Sequence, residues 1–175
     1  MRPLDAPALL PIRWACAIVC RSLAPRRSDS EDREIDWEAV MEDAKLGRTP
    51  IGWIGTGRMG YSLVSRLVRA GCDVSVYNRT RSKAEPLGEL GASIVDSPAE
   101  LAAREIVFTM VSGPDDFREV VLGPAGLLSD PDSRPATIVD STTVSPQASA
   151  EVRAAAAERG VALLAAPVSG NPKVV

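Results

Sequence analysis

Two short groups of residues between positions 55 and 80 have the types and spacing to hold a phosphorylated ligand. Gly55-Thr56-Gly57-Arg58-Met59-Gly60 spells G-x-G-x-x-G. The pattern is weak in isolation, but here it directly follows an apolar run, Ile51–Ile54, and directly opens a helical pattern within a βαβ unit of about 30 residues. Gly55 then permits a tight turn, Gly57 lets the backbone approach a pyrophosphate, and Gly60 lets the helix pack against the strand. The helix N-terminus offers N–H groups and a positive dipole end to the anion. The next apolar run ends in Asn78-Arg79-Thr80. A site for NAD usually carries Asp or Glu there to bind the ribose diol. A guanidinium beside amide and hydroxyl groups suits a 2′-phosphate instead, so NADP is expected in preference to NAD. The missing acid also counts against FAD and S-adenosylmethionine.

The rest of the composition narrows the chemistry further. The 175 residues include no histidine, which removes Ser-His-Asp and Cys-His triads, an imidazole general base and His-ligated metals; no metal site is expected. A net charge of −3 gives no footprint for nucleic acid. Three cysteines are too few for a disulfide scaffold and fit a reducing compartment.

The elements that must position these groups begin at Pro50. Ile51–Ile54 reads as a buried strand, and Met59, Leu63, Val64, Leu67 and Val68 follow at helical spacing up to Gly71. Val74–Tyr77 is a second strand, followed by a helix through Ala84, Leu87 and Leu90; Ser93–Val95 is a short third. Ser97-Pro98-Ala99-Glu100 reads as the start of a helix, with an N-cap, a proline at N1 and a capping-box acid. Glu105–Val111 is the fourth strand, a helix lies around Phe117–Leu122, and Ala136–Asp140 is the fifth strand. Ser145-Pro146 caps a helix running to Arg159, and Val161–Ala166 is the sixth strand. Continuous apolar strands alternating with helices predict a doubly wound α/β domain, a parallel sheet covered on both faces.

Charge locates a boundary upstream. Residues 1–30 carry five Arg against two acids, residues 31–45 carry seven acids against two bases, and residues 46–175 are close to neutral. Residues 1–47 therefore read as an extension before a domain at 48–175. Within it, Trp14–Cys20 is far short of the roughly 20 apolar residues that span a bilayer, so no membrane association is expected. The Arg-rich residues 1–27 suit a mitochondrial transit segment as the alternative to a cytoplasmic protein. Ser28 and Glu31 form a capping box, and Ile35, Ala39, Val40 and Ala44 share one face of a short helix that Gly47 stops.

Four ordered motifs carry a resemblance over residues 50 to 175. Gly55–Gly60 with its Met59, Asn78-Arg79-Thr80, Asp140-Ser141-Thr142-Thr143-Val144-Ser145-Pro146 and Ala166-Pro167-Val168-Ser169-Gly170 resemble the β-hydroxyacid dehydrogenase family, which includes 3-hydroxyisobutyrate dehydrogenase and the cofactor domain of 6-phosphogluconate dehydrogenase. The resemblance implies a Rossmann domain that binds NADP and an oxidoreductase that passes a hydride between nicotinamide and a 3-hydroxy acid or semialdehyde. It adds Met110, Val111 and Ser112 as cofactor contacts at the end of the fourth strand, and Thr142 and Thr143 near the nicotinamide. Ser169 and Gly170 become the substrate-anchoring pair.

Departures from the family pattern accompany this. Ala165 stands where the family usually has Asp, and Asn171 where it has a second Gly. The family's catalytic lysine lies on a helix beyond the Ser-Gly motif, followed by a helical domain that makes the dimer. Lys173 is too close to that motif to be this lysine. The chain thus reads as a truncated cofactor domain that binds NADP and is inactive alone, its sixth strand left as an apolar edge prone to self-association. Two other readings are a non-catalytic NADP-binding or interaction module, and the cofactor domain of an imine reductase.

Overall fold

Ile51–Ile54 is buried at all four positions, as a strand at the centre of a sheet covered on both faces must be. This strand, β1, pairs in parallel with two others. Ile51 to Ile54 lie in register with Val74 to Tyr77 of β2 (Val74–Tyr77) on one side, and with Ile106 to Thr109 of β4 (Ile106–Thr109) on the other. The computed structural model describes residues 49–168. The extension at 1–47 and its capped helix lie outside the described residues, as do Ser169 and Gly170.

The remaining strands are β3 (Ser93–Ile94), β5 (Thr137–Asp140) and β6 (Ala162–Ala165). All pair in parallel in the order β3-β2-β1-β4-β5-β6. Four helices connect them: α1 (Arg58–Arg69), α2 (Glu85–Glu89), α3 (Pro114–Leu122) and α4 (Pro146–Glu158). The chain builds outward from β1 through β2 to β3, then returns to lay β4 on the other side of β1. That reversal opens a crevice at the carboxyl ends of β1 and β4, where ligands of such sheets bind.

The side-chain alternation of the strands divides the core in two. On one face Ile51, Trp53, Val74 and Val76 pack against Val64 and Leu67 of α1 and Leu87 of α2. On the other, Ile54, Val107 and Ile138 pack against Phe117 and Val121 of α3 and Val152 and Ala156 of α4. Trp53 and its register partner Phe108 stack across β1 and β4, with ring centroids 5.2 Å apart.

The doubly wound parallel sheet expected from the sequence is therefore the fold, with two local differences. The Ser97-Pro98-Ala99-Glu100 signature starts only a single 3₁₀ turn, Pro98–Leu101. The Ser97 hydroxyl donates to the Glu100 carboxylate instead of accepting an amide of the turn. Buried Leu101 and Ala102 then lead within four residues into β4. The helix expected through Ala84, Leu87 and Leu90 is α2, with Ala84 and Leu90 as its caps, and a 3₁₀ turn, Arg81–Lys83, precedes it. Pro86 has no amide proton to donate and is tolerated only in a first turn, so a helix must begin just before it. The β4 strand stops at Thr109, which leaves Met110 to Ser112 as a loop over the crevice. Gly160, at φ +71°, ends α4 after a proper N-cap, where Ser145 Oγ accepts from the Ala148 amide.

The outer edge of β6 is partly covered: the Arg153 guanidinium donates to the Leu163 carbonyl.

Candidate functional site: a dinucleotide cleft at the β1/β4 reversal

Gly55 follows β1 directly and has φ +99°, a conformation that costs glycine nothing. A Cβ here would also lie 2.2 Å from the Met110 carbonyl oxygen, so the two strand ends can approach only because the side chain is missing. Gly60 is fixed by its neighbours in the same way: a Cβ would lie 2.1 Å from the Gly55 carbonyl oxygen. The Trp53 indole donates to that same oxygen at 2.8 Å and holds the turn from below. Gly57 differs from both. A Cβ on it would meet no atom within 4 Å, because it faces the open cleft. This is the cradle that a pyrophosphate requires, and a side chain would intrude on it. Gly57 is also the N-cap of α1 and supplies no side-chain cap, and no acid occupies the first turn of α1. The amides there face the cleft side of the loop without competition from side-chain acceptors, an arrangement that suits an anion.

Asn78, just past β2, is turned inward. Its Oδ1 accepts from the Thr56 amide at 2.8 Å, and its Nδ2 donates to the Thr80 carbonyl at 2.8 Å. The side chain thus joins the glycine loop to the turn after β2. Arg79 extends into solvent, with its side chain 78% exposed, and makes an ion pair of 2.7 Å with Asp116 of α3.

A cleft of about 400 Å³ gathers these residues. Of the positions singled out in the sequence, Gly55, Gly57, Arg58, Met59, Gly60, Asn78, Arg79, Thr80, Met110, Val111 and Ser112 line it. Thr56 is buried, and its hydroxyl has no partner among the described residues. Thr142 and Thr143 are not among its lining residues. Thr142 is buried, and its Oγ1 accepts from the Val111 amide at 3.1 Å; Thr143 is exposed. Ile54, Tyr77, Lys83, Asp116, Glu119 and Val120 complete the lining. Sequence reasoning did not find these. Asp115 and Asp116 do carry a signal, acids in the first turn of α3, but it explains only why acids stand there, not which residue they face.

A second polar group supports the loop from below. Asp140, at the end of β5, is 1% exposed. Its Oδ1 accepts from Thr109 Oγ1 at 2.8 Å and from the Thr142 amide at 3.0 Å. Through Thr142 and Val111 this network fixes the ends of β4 and β5 to each other. Asp140 Oδ2 has no hydrogen-bond partner among the described residues.

A six-stranded parallel sheet in the order 3-2-1-4-5-6, with a glycine loop and a free helix N-terminus at its reversal, defines a dinucleotide-binding domain. Comparison with known proteins gives the family. Residues 50–174 match the NAD binding domain of 6-phosphogluconate dehydrogenase, and the chain belongs to that family. It is 44% identical over 125 residues to "Probable 3-hydroxyisobutyrate dehydrogenase-like 1, mitochondrial" of Arabidopsis thaliana, covering 70% of this chain and 37% of that protein. Among solved structures it is similar to a Mycobacterium tuberculosis 3-hydroxyisobutyrate dehydrogenase with L-serine, at a TM-score of 0.63 and 31% identity over 71% of this chain and 42% of that one. It is also similar to an imine reductase from Myxococcus stipitatus in complex with NADP+, at a TM-score of 0.65 and 26% identity over 72% of this chain and 43% of the other. The chain therefore spans well under half the length of these relatives. Residues 50–174 form an NAD(P)-binding domain of the kind that such dehydrogenase-like relatives contain. Among the described residues, no helix is long and apolar enough to cross a membrane.

Proposed function

We propose that this chain is the NADP(H)-binding part of an oxidoreductase that passes a hydride between nicotinamide and a 3-hydroxy acid or its semialdehyde. The observation that carries the NADP preference is the turn after β2. Residues 78–80 carry no carboxylate to bind a ribose diol, and the strand-end amide, Asn78, is engaged with the Thr56 N–H. Arg79 meanwhile extends, mostly exposed, at the cleft wall.

The residues present fit the cofactor. Gly57 leaves room for a pyrophosphate, the first turn of α1 offers amides to it, and Arg79 and Thr80 suit a 2′-phosphate. Bound NADP(H) supplies the hydride chemistry; the chain's own residues bind and orient it. Met110 to Ser112 and the Thr142–Thr143 turn are proposed to stand on the nicotinamide side. Ser169 and Gly170 are proposed as the substrate anchor on the strength of the family resemblance.

Charge-assisted contacts of about 1.5–3 kcal/mol would favour NADPH over NADH by roughly ten- to hundredfold. Fluorescence titration with both reduced cofactors tests this, and equal affinities would defeat the role given to Arg79. We also propose that residues 1–175 alone bind the cofactor without turning over substrate, since the catalytic lysine implied by the resemblance lies on a helix some tens of residues beyond the Ser169-Gly170 pair. Measurable NADPH-dependent reduction of a semialdehyde acid by this polypeptide would overturn that part.

A further inference from the structure

The cleft wall around Arg79 is not purely cationic. Arg58, Arg79 and Lys83 line it, and so do Asp116 and Glu119. Of the three cations only Arg79 has an ion-pair partner among the described residues, and that partner is Asp116, 37 positions away in sequence.

The two sides of this pair differ in freedom. Asp116 is 29% exposed at its side chain, against 78% for Arg79. It sits in the first turn of α3, where a carboxylate is favoured by the helix dipole. The next residue, Phe117, is fully buried in the core. The carboxylate is therefore the anchored member, and the guanidinium is the one that swings.

A 2′-phosphate arriving at Arg79 has two options. It can displace Asp116 and leave that carboxylate without its counter-ion, or it can take the guanidinium donors that Asp116 does not use. In the second case a phosphate of about two negative charges sits beside a carboxylate of the same sign. Both outcomes disfavour the phosphate. Neither penalises a 2′-hydroxyl, which can donate to a carboxylate.

We propose that Asp116 is a specificity-determining residue of the cofactor site, an internal competitor for Arg79 that holds the discrimination between NADPH and NADH below what Arg79 alone would give. This rests on the reading of Arg79 as the 2′-phosphate ligand.

The test is the ratio of NADPH to NADH affinity, measured by fluorescence titration in wild type, Asp116→Asn, Asp116→Ser, Arg79→Gln and the Arg79→Gln/Asp116→Asn double variant. The ratio is internal to each preparation, so a change in folded fraction cancels. Both Asp116 variants should tighten NADPH by about three- to fivefold, the upper scale of a largely exposed ion pair, and leave NADH within about 1.5-fold. In the Arg79→Gln background, Asp116→Asn should move the ratio by less than half as much on a logarithmic scale. An unchanged or lowered ratio in both Asp116 variants, with Arg79→Gln still lowering it, overturns the competitor role and leaves the Arg79 reading intact. A ratio that Arg79→Gln does not move overturns the Arg79 reading, and the competitor role falls with it.

Discussion

A methyl group on Gly55 would lie 2.2 Å from the Met110 carbonyl oxygen, whereas one on Gly57 would meet nothing within 4 Å. These two glycines of one motif therefore respond differently to the same substitution. Gly55→Ala forces a left-handed conformation on alanine as well as a backbone clash, and is expected to cost about 2–3 kcal/mol of stability. Gly57, at φ −62°, is in a conformation that alanine adopts. Gly57→Ala should change stability by less than about 0.5 kcal/mol yet weaken both cofactors by tenfold or more, because the methyl occupies the phosphate cradle. Urea melts alongside cofactor titrations check the pair; a Gly57→Ala protein with wild-type affinity would remove the cradle from that position. Asn78 gives a further contrast with Arg79. Asn78→Ala leaves the Thr56 amide unpaired and should weaken NADPH and NADH alike, while Arg79→Gln should weaken NADPH alone. The glycine motif and Arg79 were legible in the sequence because each is a local pattern. The inward turn of Asn78 was not, since its partner lies 22 residues away and several polar roles fit an amide at a strand end.

The ends of β4 and β5 are joined through a buried carboxylate with one satisfied oxygen and one without a hydrogen-bond partner among the described residues. Asp140→Ala would strand the Thr109 hydroxyl and the Thr142 amide, and should cost about 2–3 kcal/mol. Asp140→Asn keeps an acceptor for both donors, so it should stay within about 1 kcal/mol of wild type. Denaturant midpoints of the two variants decide this, and equal losses would show that the charge, rather than the acceptor, holds the strand ends. On the other side of the same crevice, α3 depends on Phe117, which is fully buried against β1 and β4. The order of elements was readable from alternating apolar runs and caps, but one helix expectation failed for a local reason: Ser97 used its hydroxyl on Glu100. A capping box marks a possible helix start; whether a helix grows from it depends on how soon the chain must enter the next strand.

For the domain as a unit, cofactor binding and stability are linked. A ligand that binds only the folded state adds about 2.7 kcal/mol at one hundred times its Kd, which for a domain of this size raises Tm by roughly 10 °C. At equal concentrations NADPH should shift Tm more than NADH, and thermal scans in the two cofactors check this; equal shifts would contradict the NADP preference. The chain matches 37% of the length of its Arabidopsis relative, so such scans report on the cofactor-binding domain alone.

The sequence by itself determined the sheet, its six strands, the glycine loop at β1 and the guanidinium after β2. Each of these rests on short-range regularities: period-2 and period-3.6 burial, backbone conformations open only to glycine, and caps within a few residues. The joining of the loop to the β2 turn by Asn78, the support of the cleft by Asp140 and Thr142, and above all the meeting of Arg79 with Asp116 came only with the folded chain. Those contacts join residues 22 to 37 positions apart, whose distances are set by how parallel strands stack and where α3 starts. Nothing in the local pattern of either partner encodes that separation.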